Sequence, residues 1–168
     1  MPEFDILEPA DTAPDAADVP ARIRRLVEAQ PYGVLCTQGQ SQPYGSLVAV
    51  AATPDLAAFV FSTPVATRKY RLLSECAHVA LVLDSRSGAP GEFMQVEAVT
   101  VTGRAHRVGP GPDFGPWADL LVARHPQLAV FARAESSALF RIDVIRYFHV
   151  CRFQEVHQWV PRPLPRSG

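Results

Sequence analysis

The sequence contains few cysteines, and it has no apolar run long enough to cross a membrane. Its longest apolar stretch, LVAVAATPDLAAFVF at residues 47–61, is broken by a Thr-Pro-Asp turn, so it predicts two strands and a turn. The three cysteines are widely spaced and form no C-x-x-C pattern, which argues against a disulfide framework. We expect each of them to fill a small apolar space.

Neither sign of charge dominates the chain. With 16 Lys and Arg against 17 Asp and Glu, the formal net charge is −1, which gives no reason to expect a nucleic-acid-binding or membrane-binding surface. The first twenty residues are acidic and contain proline, without the basic region of a signal peptide, so we expect a cytoplasmic location. The G-x-G-x-x-G, G-x-x-x-x-G-K, H-E-x-x-H and G-x-S-x-G motifs are absent as well.

The length of 168 residues suits one domain. We predict an N-terminal arm over residues 1–19, a single domain over 20–160 and a proline-rich tail over 161–168. The domain should begin with a helix ended by Pro31, and alternating apolar patterns then predict about six strands with short helical insertions. The strands include one over 43–52 and two separate ones over 138–145 and 146–156. Two short helices are expected over 112–134, broken by Pro116 and Pro126. The absence of a β-α-β rhythm indicates a small antiparallel barrel. Gly103, inside the cleanest alternating stretch, predicts a bulge or a bend.

The stretch STPVATRKYRLL at residues 62–73 combines hydroxyl side chains with a basic helix start. Arg68 and Lys69 fall in the predicted first turn, where the helix dipole disfavours cations unless an anion lies among them. Thr67 is a candidate N-cap, and two further hydroxyls end the preceding strand. Such a set of donors favours a phosphate group, whereas the alternative is a solvated basic turn. The candidate phosphate-binding residues are Ser62, Thr63, Thr67, Arg68 and Lys69.

The histidines give a weaker signal. His149 and Cys151 lie two residues apart, and His157 shares their face of the last predicted strand. Zinc sites usually need three or four ligands, so we predict no metal site from this pair. His149 is also the candidate axial ligand if the protein binds haem.

Four stretches, in order, match the pattern of a known family. After a leading helix they are YGVLCT, PYGSLVAV, FVFSTPVATRKYRLLSECAHVALVLD and AVTVTGRAHRV, within residues 21–109. Their order and spacing resemble the pyridoxamine 5′-phosphate oxidase-like, FMN-binding split-barrel superfamily. The resemblance implies a mainly β fold, a six-stranded antiparallel split barrel. It also implies a homodimer with a flavin at each subunit interface, in which the strand over 95–109 could pack on its twin.

The resemblance also implies which residues bind the cofactor. In the family, a Ser/Thr pair followed five residues on by Arg-Lys holds the FMN phosphate, and the backbone of the preceding strand runs beside the isoalloxazine ring. The implied cofactor-binding residues are Ser46, Leu47, Val48, Ser62, Thr63, Thr67, Arg68 and Lys69. The implied function is that of an FMN-binding flavoprotein, an oxidoreductase with an unknown small-molecule substrate and no assigned catalytic residue.

The chain departs from the oxidase proper. Ser46 stands where the oxidase has an arginine, Ala51 lies near the place of its substrate-gripping lysine, and the sequence around Trp159 lacks its Trp-Arg signature. We therefore do not expect pyridoxamine phosphate as the substrate. Three alternatives stay open: a haem-binding or haem-degrading split barrel, a deazaflavin-dependent reductase, and a non-catalytic flavin-binding sensor.

Overall fold

The computed structural model describes residues 18–86, 93–152 and 155–162. Most of the predicted N-terminal arm and of the C-terminal tail lies outside these residues. The helices are α1 (Val19–Ala29), α2 (Arg68–Glu75), α3 (Phe114–Arg124) and α4 (Ala129–Arg133). The strands are β1 (Tyr32–Gly39), β2 (Gln42–Ala49), β3 (Ala51–Ala52), β4 (Ala58–Pro64), β5 (His78–Asp84), β6 (Ala98–Val108), β7 (Ser137–Cys151) and β8 (Glu155–Trp159).

The strands form one antiparallel sheet in the order β2-β1-β5-β6-β7-β4-β3, with β8 paired to β7. Its two ends, β2 and β3, are joined in the chain by the single residue Val50. Strand β2 also approaches β4, which is not its neighbour in the sheet. The sheet therefore curls into a half-barrel, and the predicted mainly β, antiparallel split barrel is confirmed.

The predicted number of six strands is wrong, because the described residues form eight. We expected one strand over 43–52, but Val50 separates β2 from the two-residue β3. We also expected separate strands over 138–145 and 146–156. No glycine or proline interrupts that stretch, so it continues as the 15-residue β7, and the chain then folds back as β8.

Gly103 lies at a β-bulge, as predicted. Thr102 pairs with Arg146 and Gly103 with Val144, so one residue of β7 has no partner on β6. A Cβ atom at Gly103 would come within 2.6 Å of the Asp143 carbonyl oxygen. Glycine is required here because the two backbones approach so closely.

The core has two parts, one on each face of β4. Phe59 and Phe61 point into the larger cluster inside the barrel, which also receives the apolar face of α1. Val60 points the other way, into a smaller cluster under α3 and α4. Burial on both faces explains why β4 reads as a continuous apolar run instead of an alternating one.

Two short helices were predicted over 112–134, broken by Pro116 and Pro126. Pro126 does separate them, since α3 ends before it and a 3-10 turn over Pro126–Leu128 leads into α4. Pro116 instead lies in the first turn of α3, where a missing N–H breaks no helical hydrogen bond. In the described parts of the chain, no helix combines the length and the apolar character needed to cross a bilayer.

Candidate functional site

Three residues separate β4 from helix α2, which is capped as predicted by Thr67. Thr67 has extended backbone angles, and its side-chain oxygen accepts a hydrogen bond from the Tyr70 N–H at 3.2 Å. Arg68 and Lys69 are the first two residues of the helix. Helix geometry gives their N–H groups no intrahelical acceptor, so these donors are available to a ligand.

The hydroxyl groups around the cap already use their protons within the protein. Thr67 donates to the carbonyl oxygen of Pro64 at 2.9 Å, which leaves Thr63 as the donor in the 3.1 Å contact between the two threonine hydroxyls. Ser62 donates to the carbonyl oxygen of Ala138 at 3.3 Å, on the neighbouring strand β7. The hydroxyl network therefore holds the end of β4 against both α2 and β7.

The two cations at the start of α2 have no carboxylate partner within the described residues. Burial lowers the pKa of Lys69, because removing an ammonium group from water disfavours its charged form. The Arg68 guanidinium lies over the ring of Tyr44, 5.2 Å from the ring centroid. An unneutralised pair of this kind at a helix N-terminus attracts an anion.

Strand β2 presents its predicted residues on alternating faces. The side chain of Val48 is buried, and the Ser46 hydroxyl is buried with no hydrogen-bond partner among the described residues. Leu47 points to the opposite face and is 70% exposed. Only the backbone of Leu47 can therefore face the same region as the side chains of Ser46 and Val48.

Tyr44 lies beside these residues, although it was not among the candidates predicted from the sequence. It lies two residues before Ser46 on β2, so strand alternation puts the two side chains on one face. Its contact with Arg68 joins β2 to the start of α2. That alternation was readable from the sequence, but the partner of Tyr44 was not, because α2 and β2 are far apart in the chain.

A further cation, Arg107, contacts Tyr70 in the first turn of α2. The Tyr70 hydroxyl accepts a hydrogen bond from Arg107 Nη1 at 3.1 Å, and the Arg107 guanidinium lies 5.7 Å from the Tyr70 ring centroid. This arginine comes from β6 and was not anticipated. The set of cations, free N–H groups and hydroxyls matches the chemistry of a phosphate monoester.

The comparison with protein families agrees with the fold. The family profile described as Pyridoxamine 5′-phosphate oxidase matches residues 19–151. The chain therefore belongs to the pyridoxamine 5′-phosphate oxidase family, and the resemblance seen in the sequence is confirmed. A comparison with curated proteins gives no significant match.

Solved structures share the fold at low sequence identity. A heme binding protein from Mycobacterium smegmatis superposes with a TM-score of 0.75 at 16% identity, covering 89% of this chain and 59% of that one. A FAD-binding protein from Mesorhizobium loti gives 0.62 at 15% identity, with 77% and 91% covered. A protein related to general stress protein 26 from Clostridium acetobutylicum gives 0.64 at 14% identity, with 87% and 96% covered. The chain thus spans little more than half of the M. smegmatis protein, and these likenesses establish the fold alone.

Proposed function

We propose that the chain binds FMN, with the phosphate at the first turn of α2 and the ring along β2, and acts as a flavin-dependent oxidoreductase. The position of Arg68 carries this proposal. Arg68 begins α2, and its guanidinium lies over Tyr44 on the strand that holds Ser46. One side chain thus connects the expected phosphate contacts with the expected ring contacts.

The first turn of α2 fits a phosphate dianion. Arg68 can bind two phosphate oxygens side by side, and Lys69 adds a compact positive charge. Burial lowers the pKa of Lys69. A phosphate anion beside it would favour the charged ammonium form and so raise that pKa again. The first two N–H groups of α2, which have no intrahelical acceptor, also favour a negatively charged ligand.

Three hydroxyl residues form a rim around the expected phosphate position: Ser62, Thr63 and Thr67. In this structure the proton of Thr67 goes to the carbonyl oxygen of Pro64. A charged phosphate oxygen is a stronger acceptor than a neutral carbonyl, so the Thr67 hydroxyl turns towards it when the ligand binds. Thr63 then follows Thr67 through their mutual hydrogen bond, while Ser62 fixes the rim to β7.

Strand β2 fits one edge of a planar polar ring. It is an end strand of the sheet, so its outward N–H and C=O groups pair with no other strand of the described ranges. The buried Ser46 hydroxyl needs a hydrogen-bond partner, which a ring nitrogen or carbonyl can supply. Val48 contributes apolar contact, and Leu47 contributes backbone only.

Bound FMN supplies hydride or electron transfer, and the chain anchors, orients and shields it. We assign no side chain as a catalytic acid or base. Leu47 is a large apolar side chain exposed beside the site. It lies on the face opposite Ser46 and Val48, and both faces border the open edge of β2. We propose that a second copy of the chain covers Leu47 and this edge, which would place the flavin at a homodimer interface.

The alternatives make different demands on the same barrel. A deazaflavin cofactor carries a phosphate and would use the same contacts, and a flavin sensor would use them without turnover. Haem would need an axial ligand, and our candidate His149 is fully buried, with Nε2 3.4 Å from Glu97 Oε2. No observation on the described residues favours haem over a phosphate-bearing cofactor.

The decisive experiment compares FMN with riboflavin, which lacks the phosphate, by fluorescence titration of the ligand-free protein. We expect FMN to bind at least tenfold more tightly than riboflavin, which corresponds to about 1.4 kcal/mol from the phosphate contacts. Inorganic phosphate should weaken FMN binding and leave riboflavin binding unchanged. Equal affinities for the two flavins, or no binding of either, would refute the proposed site.

A further inference from the structure

A second cluster of ligating side chains lies on the β7–β8 pair, outside the proposed flavin site. Cys151 pairs with Glu155, and His149 pairs with His157. Cross-strand partners and residues two apart share one face of a sheet, so all four side chains lie on the same face. From the sequence pattern, only His149, Cys151 and His157 were recognised, with His149 and Cys151 as a pair too small for a zinc site. Glu155 was missed because its position depends on how β8 pairs with β7.

Three of these side chains bring ligand atoms close together. The Cys151 Sγ lies 3.8 Å from Glu155 Oε2, which lies 4.0 Å from His157 Nε2, and one ligand atom from each residue falls within 4.8 Å of the others. Bond lengths of about 2.0–2.3 Å to a tetrahedral zinc ion separate its ligands by roughly 3.3–3.6 Å. The distances between the three atoms therefore need to shorten by between a few tenths of an ångström and about one ångström for the atoms to surround an ion.

A second observation marks the same face. His149 is completely buried, and its Nδ1 atom has no hydrogen-bond partner among the described residues. Its ring lies over the ring of His157, with 6.2 Å between the centroids. A buried imidazole nitrogen left without a partner is costly, and water bound to a metal ion is a partner of the right kind.

The types of ligand atom in the cluster select the kind of metal, and two guanidinium groups lie beside these ligands. Arg22 Nη1 lies 3.8 Å from the Cys151 sulfur, and Arg152 Nη1 lies 3.7 Å from Glu155 Oε1. A hard cation such as Mg²⁺ or Ca²⁺ gains little here, because it prefers several oxygen ligands and the cluster offers a single carboxylate. Thiolate and imidazole instead favour zinc and its neighbours in the transition series.

We propose that Cys151, Glu155 and His157 bind a zinc-like divalent ion, with a fourth position open to water beside His149. This site is separate from the proposed flavin site. Thr63 pairs with Ala138 near the start of β7, whereas Cys151 ends that strand, thirteen residues further along. At about 3.3 Å per residue, this is on the order of 40 Å along the strand.

The test is metal binding by the full chain, first freed of metal with a chelator. Zn²⁺ affinity is measured by competition with a chromogenic chelator, and Co²⁺ serves as the spectroscopic probe. We expect one ion per chain and a sulfur-to-cobalt charge-transfer band in the near ultraviolet. Cys151→Ser should abolish that band, and His157→Gln should weaken Zn²⁺ binding at least tenfold. Cys76→Ser, at the end of α2, is the matched control and should leave both unchanged.

Glu155→Gln provides a second, less disruptive variant, because Glu155 is exposed whereas Cys151 is buried. If Cys151→Ser does not fold, loss of Zn²⁺ affinity in both His157→Gln and Glu155→Gln still supports the site. Failure of the wild-type chain to bind Zn²⁺, or wild-type affinity in these two variants, would overturn the proposal. Loss of the cobalt band in Cys76→Ser would do so too.

Discussion

The guanidinium of Arg68 lies 5.2 Å from the centroid of the Tyr44 ring and ties the first turn of α2 to β2. In the proposed complex, a phosphate group at α2 and a flat ring along β2 would be parts of one cofactor, and this contact would set their separation. The basic turn in the sequence thus lies against a second element of the fold, strand β2. Its cations lack carboxylate partners within the described residues, as expected for a site that takes an anionic ligand.

Replacement of Lys69 should weaken FMN binding without unfolding the protein. Lys69→Met removes a charge-assisted contact worth about 1.5–3 kcal/mol, so we expect FMN affinity to fall about 10- to 100-fold in a fluorescence titration. Arg133→Met, which removes a surface cation that pairs with Asp119 on α3, is the control and should bind FMN normally. FMN affinity equal to wild type in Lys69→Met would remove Lys69 from the site.

The same variant should have a distinct pH dependence of stability. Burial lowers the pKa of Lys69, so in the alkaline range the unfolded chain binds more protons than the folded one. The resulting destabilisation is present below the lowered pKa and is relieved as pH rises through it towards 10.5. In urea unfolding without ligand, Lys69→Met should be slightly more stable than wild type at neutral pH. At alkaline pH the two proteins should be equally stable. A variant less stable than wild type at neutral pH would contradict this account.

Tyr44 should act on FMN through Arg68. A cation–π contact at a partly exposed site is worth about 0.5–1 kcal/mol, so Tyr44→Ala should weaken FMN binding about two- to fivefold. Tyr44→Phe keeps the ring face and should bind FMN like wild type. If the phenylalanine variant is as weak as the alanine variant, the hydroxyl rather than the ring is what matters.

Ser46 and Ser62 should respond to alanine with opposite signs. The buried Ser46 hydroxyl has no partner within the part of the chain that the structure describes, so Ser46→Ala should stabilise the ligand-free protein by about 1 kcal/mol and weaken FMN binding. Ser62 donates to Ala138, so Ser62→Ala should destabilise it by a similar amount. The measurement is urea unfolding without and with FMN. Loss of stability in Ser46→Ala would show that its hydroxyl already has a partner.

Gly103 should tolerate no side chain. A Cβ there would lie 2.6 Å from a carbonyl oxygen of β7, so Gly103→Ala should cost about 1–3 kcal/mol of unfolding free energy. Gly109→Ala is the matched control, because nothing lies within 4 Å of its added Cβ. Equal melting temperatures for the two variants would mean that the bulge can open without cost.

Much of this fold was predictable from local patterns. The alternation of apolar residues, the Thr67 cap and the bulge at Gly103 each depend on neighbouring residues, and each prediction is confirmed. The continuity of β7 was missed because the bulge at its middle interrupts the alternation that a regular strand would show. The contacts of Tyr44 with Arg68 and of Cys151 with Glu155 depend on how distant segments pair, which no local pattern contains.

The measurement that tests the central claim most directly is the visible absorption spectrum of the purified protein, followed by mass identification of any chromophore released by heat. We predict a two-banded flavin spectrum and release of FMN, either as purified or after incubation with added FMN. A Soret band would contradict the account in favour of haem, and release of a deazaflavin would correct the cofactor while keeping the phosphate site. A colourless protein that takes up no added FMN would refute the claim.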